Sequence, residues 1–302
     1  VNYGLVKVGN MKQAILLLSF GTPRHPSDLL PYLTSIRRGK VPTERELAAL
    51  TARYDAIGQW DTVTLQTMGN EQKNKLETIL GIDSVYLAYL HMPNSMEQAV
   101  ESIAAAGYTS ILSIVTSPFY SMVGTGAYER KLQSILQAYP YISSESIKSW
   151  WDQPQFFEYW WSQLVAANPL QADTACIFSA HSVPISTVGT YEDKVISASN
   201  RIAKTIGLNH WYQAWQSAAP YGEWLGPTIE SIIEQALGAG AKRIICIPFG
   251  FGSDHVEILY DNDIVCRNIV EAAGAIYERL PMPNGNALFL EGMAQAIQER
   301  IN

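Results

Sequence analysis

The chain has 302 residues, which allows one large domain or two of about 150 residues each. Its hydrophobic content of 47% is enough to build a substantial core. A net charge of −7, with no basic cluster beyond Arg37 and Arg38, argues against nucleic acid as a partner. No apolar run approaches the roughly 18 residues of a transmembrane helix, and residues 1–11 lack the layout of a secretory signal. We therefore expect a cytoplasmic protein without a transmembrane segment.

Short apolar runs alternate with amphipathic stretches along the chain, which is typical of buried parallel strands separated by helices. Stretches 95–104 and 228–237 have helical patterns. This alternation predicts an α/β fold whose parallel sheets carry helices on both faces. The apolar runs predict strands at 13–19, 84–89, 110–116, 174–179, 211–215 and 243–248, with a further short strand near 143–148 or 275–279.

A weak internal repeat indicates two similar halves. Residues 107–114 parallel residues 240–247, and each segment follows an alanine-rich helical pattern that ends at a glycine. A glycine at that position caps a helix in the left-handed conformation. Prolines interrupt the pattern between the halves, which we place at 1–150 and 151–302.

Two polar segments follow predicted strands. Ser179–Pro184 comes after the apolar run 174–178, and Asp254–Tyr260 comes after the run 243–247. In open α/β sheets, ligands bind beyond the carboxyl ends of the strands. One strand therefore delivers the imidazole of His181, and another delivers an imidazole and a carboxylate at the start of a helix. This combination predicts a site that moves protons or holds a divalent metal.

These segments resemble the signature of the ferrochelatase family, the enzymes that insert ferrous iron into a porphyrin. The resemblance covers nearly the whole chain, and its order and spacing best match the short, soluble ferrochelatases of Gram-positive bacteria. It implies two Rossmann-like halves that face a cleft, each a four-stranded parallel sheet flanked by helices. The further segments that carry it are Ser19–Pro23 (SFGTP), Ile36–Gly39 (IRRG), Arg53–Gly58 (RYDAIG), Trp215–Ser217 (WQS) and Trp224–Pro227 (WLGP).

By this resemblance, His181 matches the family's catalytic histidine and Glu257 its catalytic glutamate. Metallation removes two pyrrole protons, and a neutral imidazole both accepts protons near pH 7 and binds borderline metals. We expect His181 to be the proton acceptor and metal contact, and Glu257 a second metal ligand or proton relay. His255 is expected to support the site structurally and His91 to line the cleft. The alternatives are a capping role at the strand end for His181 and a simple loop position for His91.

Four further residues are candidates for contacts with the substrate. Arg37 and Arg38 suit the propionate groups because guanidinium binds carboxylate in bidentate pairs. The helix dipole alone also favours arginine at a helix end. Tyr120 and Trp215 are candidates to stack on the macrocycle, with burial in the core as the alternative.

Two departures from the family pattern concern the substrate. Close relatives often carry, at position 20, a tyrosine that coordinates the metal in the product, and Phe20 lacks that hydroxyl. Residues 58–63 read Gly-Gln-Trp-Asp-Thr-Val where the family pattern is Gly-Gly-x-Ser-Pro-Leu. This loop touches the tetrapyrrole in the family. We expect Asp61 to change how the ring is held, because a carboxylate close to a propionate repels it.

A carboxylate row suggests an outer cation site. Glu257 and Asp261 are four residues apart and would share one face of an α-helix. The family extends this row by one turn to form a site for a divalent cation, but the next position here is Val265. We expect at most a weak Mg²⁺ site at Asp261, with Asp263 or Arg53 as its neighbour; a solvated acidic face is the alternative.

No prosthetic group is expected, and iron is a substrate. The first strand is followed by no Gly-x-Gly-x-x-Gly motif, and the chain has no Gly-Lys-Ser/Thr loop, so a nucleotide cofactor is not expected. Cys176, Cys246 and Cys266 share no metal-ligand spacing and are expected to be buried. Relatives with an iron–sulfur cluster carry its cysteines near the C-terminus, where this chain has none, so we expect no such cluster.

The leading hypothesis is therefore a monomeric ferrochelatase of haem biosynthesis. Its partners would be ferrous iron and an anionic porphyrin with two or four carboxyl groups, protoporphyrin IX or coproporphyrin III. One alternative is a chelatase that inserts cobalt or iron into a sirohydrochlorin-like ring. Another is a tetrapyrrole-binding protein that has lost turnover.

Overall fold

The computed structural model describes residues 12–58, 60, 65–219 and 221–301. The strands of this part of the chain are β1 (Gln13–Ser19), β2 (Val85–Tyr89), β3 (Ser110–Val115), β4 (Ser143–Ile147), β5 (Thr174–His181), β6 (Trp211–Gln216), β7 (Arg243–Ile247) and β8 (Ile276–Arg279). They form two four-stranded sheets, in the orders β2-β1-β3-β4 and β6-β5-β7-β8, in which every pair is parallel. The predicted α/β fold with two parallel sheets is confirmed, and strands exist at both of the short candidate positions.

Helices connect the strands and cover the sheets. The α-helices are α1 (Leu29–Ile36), α2 (Glu44–Ile57), α3 (Leu65–Leu80), α4 (Ser95–Ala105), α5 (Thr125–Leu136), α6 (Pro154–Ala167), α7 (Tyr191–Ile206), α8 (Ile229–Gly238), α9 (Arg267–Ala272) and α10 (Ala287–Ile301). Two 3₁₀ turns (Pro26–Asp28 and Ile185–Thr187) and a π-helix (Glu257–Cys266) complete the described elements. Among these helices, none combines the length and apolar character needed to cross a membrane.

The position of a strand in its sheet explains its sequence. The central strand β1 reads Gln-Ala-Ile-Leu-Leu-Leu-Ser, and six of its seven residues are buried because helices cover both faces. The edge strand β4 reads Ser-Ser-Glu-Ser-Ile and is mostly exposed or half-buried. The apolar runs therefore mark central strands clearly and edge strands weakly.

One core cluster joins the two halves. It contains Ile15 and Leu17 from the first sheet, Phe178 and Ile247 from the second, and aromatic side chains of α6 and α10. Separate clusters fill the outer face of each sheet. The predicted division at residue 150 falls between β4 and α6. It stays a prediction, since the largest cluster belongs to both halves.

The carboxyl ends of the strands of both sheets meet at one cleft. Beyond β1 and β2, the His91 amide donates to the Phe20 carbonyl at 3.0 Å, so these two residues continue the pairing of their strands. In the second sheet, His181 is paired with Gln216 at the ends of β5 and β6. The halves touch here, because a side chain at Gly252 would meet the Thr116 carbonyl at 2.5 Å. This close approach requires glycine at position 252.

Candidate active site

His181 is the last residue of β5, and its surroundings fix the orientation of its ring. Its Nδ1 lies 2.5 Å from the Ser182 carbonyl, and its own carbonyl accepts a hydrogen bond of 2.9 Å from the Tyr191 hydroxyl. A carbonyl accepts, so Nδ1 carries a proton. The other ring nitrogen, Nε2, faces Glu257 at 3.4 Å. Nε2 is therefore the atom available for proton transfer or metal contact.

Glu257 lies between two imidazoles. Its Oε1 is 3.4 Å from Nε2 of His181, and its Oε2 is 3.3 Å from Nε2 of His255. Its side chain is 24% exposed and that of His181 is 38% exposed, so both are accessible from the cleft. The structure thus brings together the two residues predicted to carry the chemistry, and His255 contacts Glu257 as well.

The helix that starts at Glu257 is a π-helix, whereas the sequence spacing predicts an α-helix. Gln216, buried at the end of β6, holds the first residue of this helix. The Nε2 of Gln216 donates to the Glu257 carbonyl at 3.3 Å. Its Oε1 accepts from Ser179 Oγ (2.8 Å) and Asn262 Nδ2 (3.1 Å). Hydrogen bonds from i to i+5 widen a helix, and such segments occur frequently at functional sites.

The pair His181–Glu257 carries opposite charges. Burial alone would lower the pKa of His181, but the charge of Glu257 and its hydrogen bond outweigh burial and raise the pKa of His181 to about 9. Burial would raise the pKa of Glu257, and the two histidines overcome it and hold that pKa well below its ordinary value. At neutral pH the site therefore holds an imidazolium against a carboxylate.

Asp261 points at a guanidinium rather than forming an open carboxylate row. Its Oδ1 lies 3.2 Å from Nη1 of Arg53, and its Oδ2 accepts a hydrogen bond of 2.7 Å from Ser217. Burial raises the pKa of Asp261 above its ordinary value, against the effect of the Ser217 hydrogen bond and Arg53. In the described residues, no group of three or more His, Cys, Asp or Glu side chains has metal-binding geometry. An Mg²⁺ ion at this outer position stays a prediction, and it would have to displace Arg53.

The opposite wall of the cleft is aromatic. The ring of His91 lies 4.5 Å from that of Phe20 and 6.3 Å from that of Tyr32, both edge to face. His91 Nδ1 is 2.9 Å from Ser35 Oγ. Burial, with a smaller contribution from the charge of Lys131, lowers the pKa of His91 to about 4. His91 is therefore a neutral imidazole on this wall.

An open cavity of ≈ 520 Å³ adjoins this wall. His91 and Ser35 line it, with apolar side chains of α1 and of the β2–α4 loop and the ammonium group of Lys131.

The other predicted substrate contacts lie on separate loops: Arg37 and Arg38 follow α1, and Tyr120 follows β3. Arg37 forms an ion pair with Glu46, and Arg38 is exposed with a φ of 56°. Tyr120 is half-buried, with Lys148 Nζ 5.6 Å above its ring. Their contacts with substrate stay predictions. Asp61 lies outside the described residues.

Trp215 corrects one of these predictions. Its side chain is 2% exposed, and its ring packs 5.6 Å from that of Tyr191 in the core. A buried indole presents no face to a macrocycle, so Trp215 belongs to the core, which is the alternative that its strand-end position allowed. The three cysteines are also buried, as predicted.

Sequence reasoning missed the buried tyrosine hydroxyls around the cleft. Tyr54 is 3.0 Å from Thr22 Oγ1, and Tyr32 donates to the Gly21 carbonyl at 3.3 Å. Burial raises the pKa of Tyr54 to about 12, with a further contribution from the negative charge of Glu257. Tyr54 lies within the segment 53–58 that carries the family resemblance, which was a usable signal. No spacing in the sequence marks Tyr32.

The comparisons with known proteins agree on one family. A model of the ferrochelatase family matches residues 12–301. The coproporphyrin III ferrochelatase of Geobacillus kaustophilus (strain HTA426) is 33% identical over 302 residues, covering 95% of this chain and 95% of that protein. The coproporphyrin III ferrochelatase of Listeria monocytogenes serotype 4b (strain F2365) is 30% identical over 309 residues, covering 96% and 98%.

Solved structures with a similar fold are also chelatases. The sirohydrochlorin chelatase SirB from Bacillus subtilis subspecies spizizenii, solved with cobalt, has a TM-score of 0.63 at 9% identity, covering 96% of this chain and 95% of that chain. CbiX, the terminal enzyme for siroheme biosynthesis in denitrifying bacteria, has a TM-score of 0.53 at 13% identity, covering 95% and 98%. At these identities the likeness concerns the fold alone.

Proposed function

The chain belongs to the ferrochelatase family, lyases that insert iron into a porphyrin, and from this premise we propose that it inserts ferrous iron into coproporphyrin III. The observation that carries the proposal is the carboxylate of Glu257 held between the Nε2 atoms of His181 and His255 at the carboxyl end of a parallel sheet. This arrangement supports the proposal, because an imidazole and a carboxylate lie side by side where ligands bind in this type of fold.

Support for coproporphyrin comes from the relatives. Proteins named coproporphyrin III ferrochelatase are 30–33% identical to this chain over at least 95% of its length in the two cases described above. Coproporphyrin has four propionate groups, and Arg37 and Arg38 directly follow the end of α1. Arg37 would exchange its partner Glu46 for a propionate, while exposed Arg38 is accessible from solvent. Protoporphyrin IX, with two propionates, is the other porphyrin to be tested.

His181 takes the pyrrole protons in the proposed mechanism. Nδ1 is bound to the Ser182 carbonyl, so Nε2 is the nitrogen that exchanges protons. With a pKa of about 9, the ring is mostly protonated at neutral pH and must first release its proton to solvent, to which its side chain is exposed. An arriving Fe²⁺ favours that loss, because a cation near Nε2 opposes the positive charge of the imidazolium. Glu257 then stabilises the imidazolium that forms when a pyrrole proton is accepted.

Turnover under anaerobic conditions tests the proposal. Purified protein is mixed with Fe²⁺ and an excess of coproporphyrin III, protoporphyrin IX or sirohydrochlorin, and absorbance is followed over many equivalents of product. We expect multiple turnovers with the highest kcat/KM for coproporphyrin III. A single equivalent of bound porphyrin without turnover would indicate a tetrapyrrole-binding protein instead. A preference for sirohydrochlorin would indicate the other class of chelatase.

A further inference from the structure

A partly buried guanidinium lies behind the segment that carries His255 and Glu257. Arg279, the last residue of β8, is 14% exposed. Its Nε and Nη2 donate to the two oxygens of Asp263 at 2.7 and 2.9 Å, and Nη2 also lies 3.2 Å from Oδ1 of Asp254. Asp254 immediately precedes His255, and Asp263 lies in the middle of the π-helix. The Arg279 side chain therefore holds both ends of the stretch from Asp254 to Asp263, which contains His255 and Glu257.

Asn284 holds the same segment from a second direction. Its Oδ1 accepts from the Asp254 amide and its Nδ2 donates to Asp254 Oδ2, both at 2.8 Å. Its own amide donates to the Gly252 carbonyl at 3.1 Å. Its carbonyl accepts a bond of 2.9 Å from buried Gln72, which belongs to α3 of the N-terminal half. Asn284 thus binds the N-terminal half through its backbone carbonyl and the residue before His255 through its side chain.

We propose that Arg279 and Asn284 are positioning residues that fix Asp254–Glu257 for the metal-handling step. The inference rests on the proposed function. Both residues bind Asp254, and Arg279 also binds Asp263, so they act through the acidic residues on either side of Glu257. The carboxylate must sit within 3.3–3.4 Å of two imidazoles at once. Small displacements of such a group from its working position are costly, even when the change is made at a distance.

The chain supplies a matched control in Arg243. It is the first residue of β7, is 16% exposed, and forms an ion pair with Glu278. Its Nη2 also donates to the Ala167 carbonyl at 2.7 Å. Arg243 and Arg279 are thus similarly buried arginines on neighbouring strands of one sheet, and each is bound to carboxylate. Arg243 lies at the amino end of the strands, away from the cleft.

The test compares three single variants, Arg279→Met, Arg243→Met and Asn284→Gly. Glycine accepts the φ of 48° at position 284 without strain, so this substitution removes only the side chain. For each variant we measure Tm, the dissociation constant of coproporphyrin III, and kcat and KM for Fe²⁺ under anaerobic conditions, at a temperature where all variants are folded.

We expect Arg279→Met and Asn284→Gly to lower kcat/KM for Fe²⁺ by about tenfold or more, with porphyrin affinity within about twofold of the original protein. Arg243→Met should lose a comparable amount of thermal stability and keep its kinetics for Fe²⁺. Equal kinetic losses in Arg243→Met and Arg279→Met would overturn the proposal, because the effect would then follow stability alone. Unchanged kinetics in Asn284→Gly, the variant least disturbing to folding, would overturn the part that concerns Asn284.

A second readout does not depend on turnover. The chain has five histidines, so protein labelled with ¹³C at histidine Cε1 gives few signals, assigned by single His→Gln substitutions. In the metal-free protein, the signals of His181 and His255 should shift in Arg279→Met and Asn284→Gly and stay in place in Arg243→Met. If the original protein does not metallate porphyrin, the proposed function fails, but these shifts still decide whether the two residues position the segment. Signals that stay in place in all three variants would overturn the positioning role.

Discussion

The two walls of the cleft each present a histidine at the end of a parallel strand, and the two histidines are opposite in character. His91, against the rings of Phe20 and Tyr32, has a pKa lowered to about 4, chiefly by burial. His181 is also subject to burial, yet the neighbouring carboxylate of Glu257 raises its pKa to about 9. Position in the sheet therefore brings an imidazole to the cleft, while its neighbours decide which protonation state it holds.

This difference assigns distinct tasks to the walls. A neutral imidazole among aromatic edges gives an apolar wall that suits a flat macrocycle. An imidazolium held by a carboxylate gives a wall that exchanges protons and attracts a divalent cation after deprotonation. If the assignment is right, substitutions on the two walls will affect different steps.

Removing each histidine in turn gives the largest expected contrast. His181→Ala should lower kcat by about 10²–10⁴-fold, the usual contribution of a general base, while porphyrin still binds. His91→Ala should lower kcat by less than about tenfold and weaken porphyrin binding instead. Steady-state kinetics and porphyrin titration of both variants check this. A His181→Ala variant that keeps more than a tenth of the original rate would contradict the assignment of the proton acceptor.

Changing the charge beside His181 tests why the walls differ. Glu257→Gln keeps the shape but removes the charge that raises the pKa of His181, so that pKa should fall toward its ordinary value near 6.5. For the original protein, kcat/KM for porphyrin should rise with pH up to about 9, because only the neutral imidazole accepts a proton. In Glu257→Gln the rise should occur at lower pH, with a reduced plateau.

The double variant provides the control for this prediction. Because His181 and Glu257 act as a unit, His181→Ala combined with Glu257→Gln should be little worse than His181→Ala alone. Strict multiplication of the two losses would show that the residues act independently. Glu257 would then be a supporting residue only.

Direct titration of the histidines sharpens the comparison without any substrate. In protein labelled at histidine Cε1, the His181 signal should titrate near pH 9 and the His91 signal near pH 4. The linked effects on stability have opposite signs. His181 stabilises the fold below its ordinary pKa near 6.5 and loses this effect as pH rises through about 9. His91 stabilises it above about 6.5 and loses this effect as pH falls toward 4. If both histidines titrate near their ordinary pKa, the two walls do not differ in the protonation state of their histidines.

Much of this arrangement was predictable because it depends on local pattern. Strands covered on both faces leave continuous apolar runs, and ligands bind at the carboxyl ends of parallel strands. This pattern and the family resemblance together identified His181 and Glu257 as site residues. The π-helix was not predictable, since polar and apolar spacing does not encode whether the helix bonds to i+4 or i+5. The sequence predicted only that Arg53 lies near Asp261. The salt bridge between them joins residues 208 positions apart, and no local pattern indicates such a contact.

Two further features depended on tertiary contacts alone. Trp215 lies one residue before the end of β6, beside Ala180, and the ring of Tyr191 and the shared core enclose it. Asn284 precedes α10 in a turn that its neighbours Pro283 and Gly285 mark, and asparagine tolerates the left-handed conformation found there. Its bonds to Asp254, 30 residues earlier in the same half, become evident only in the folded structure.

The smallest expected effect comes from adding a hydroxyl to the aromatic wall. Phe20 lies edge to face with His91 at 4.5 Å, and it offers no oxygen to the metal. Phe20→Tyr places a phenol where the relatives of the family often have one, so the iron in the product gains a possible oxygen ligand. We expect product to bind about threefold more tightly, a gain of about 0.7 kcal/mol, with little change in the rate of metallation.

Product titration measures the affinity, and a phenolate-to-iron charge-transfer band in the visible spectrum of the ferric product complex reports the new ligand. His91→Phe, which changes the neighbouring ring of the same wall without adding an oxygen, is the control. If Phe20→Tyr leaves both the spectrum and the affinity unchanged, position 20 does not face the metal, and the aromatic wall would have to be placed farther from the reacting centre.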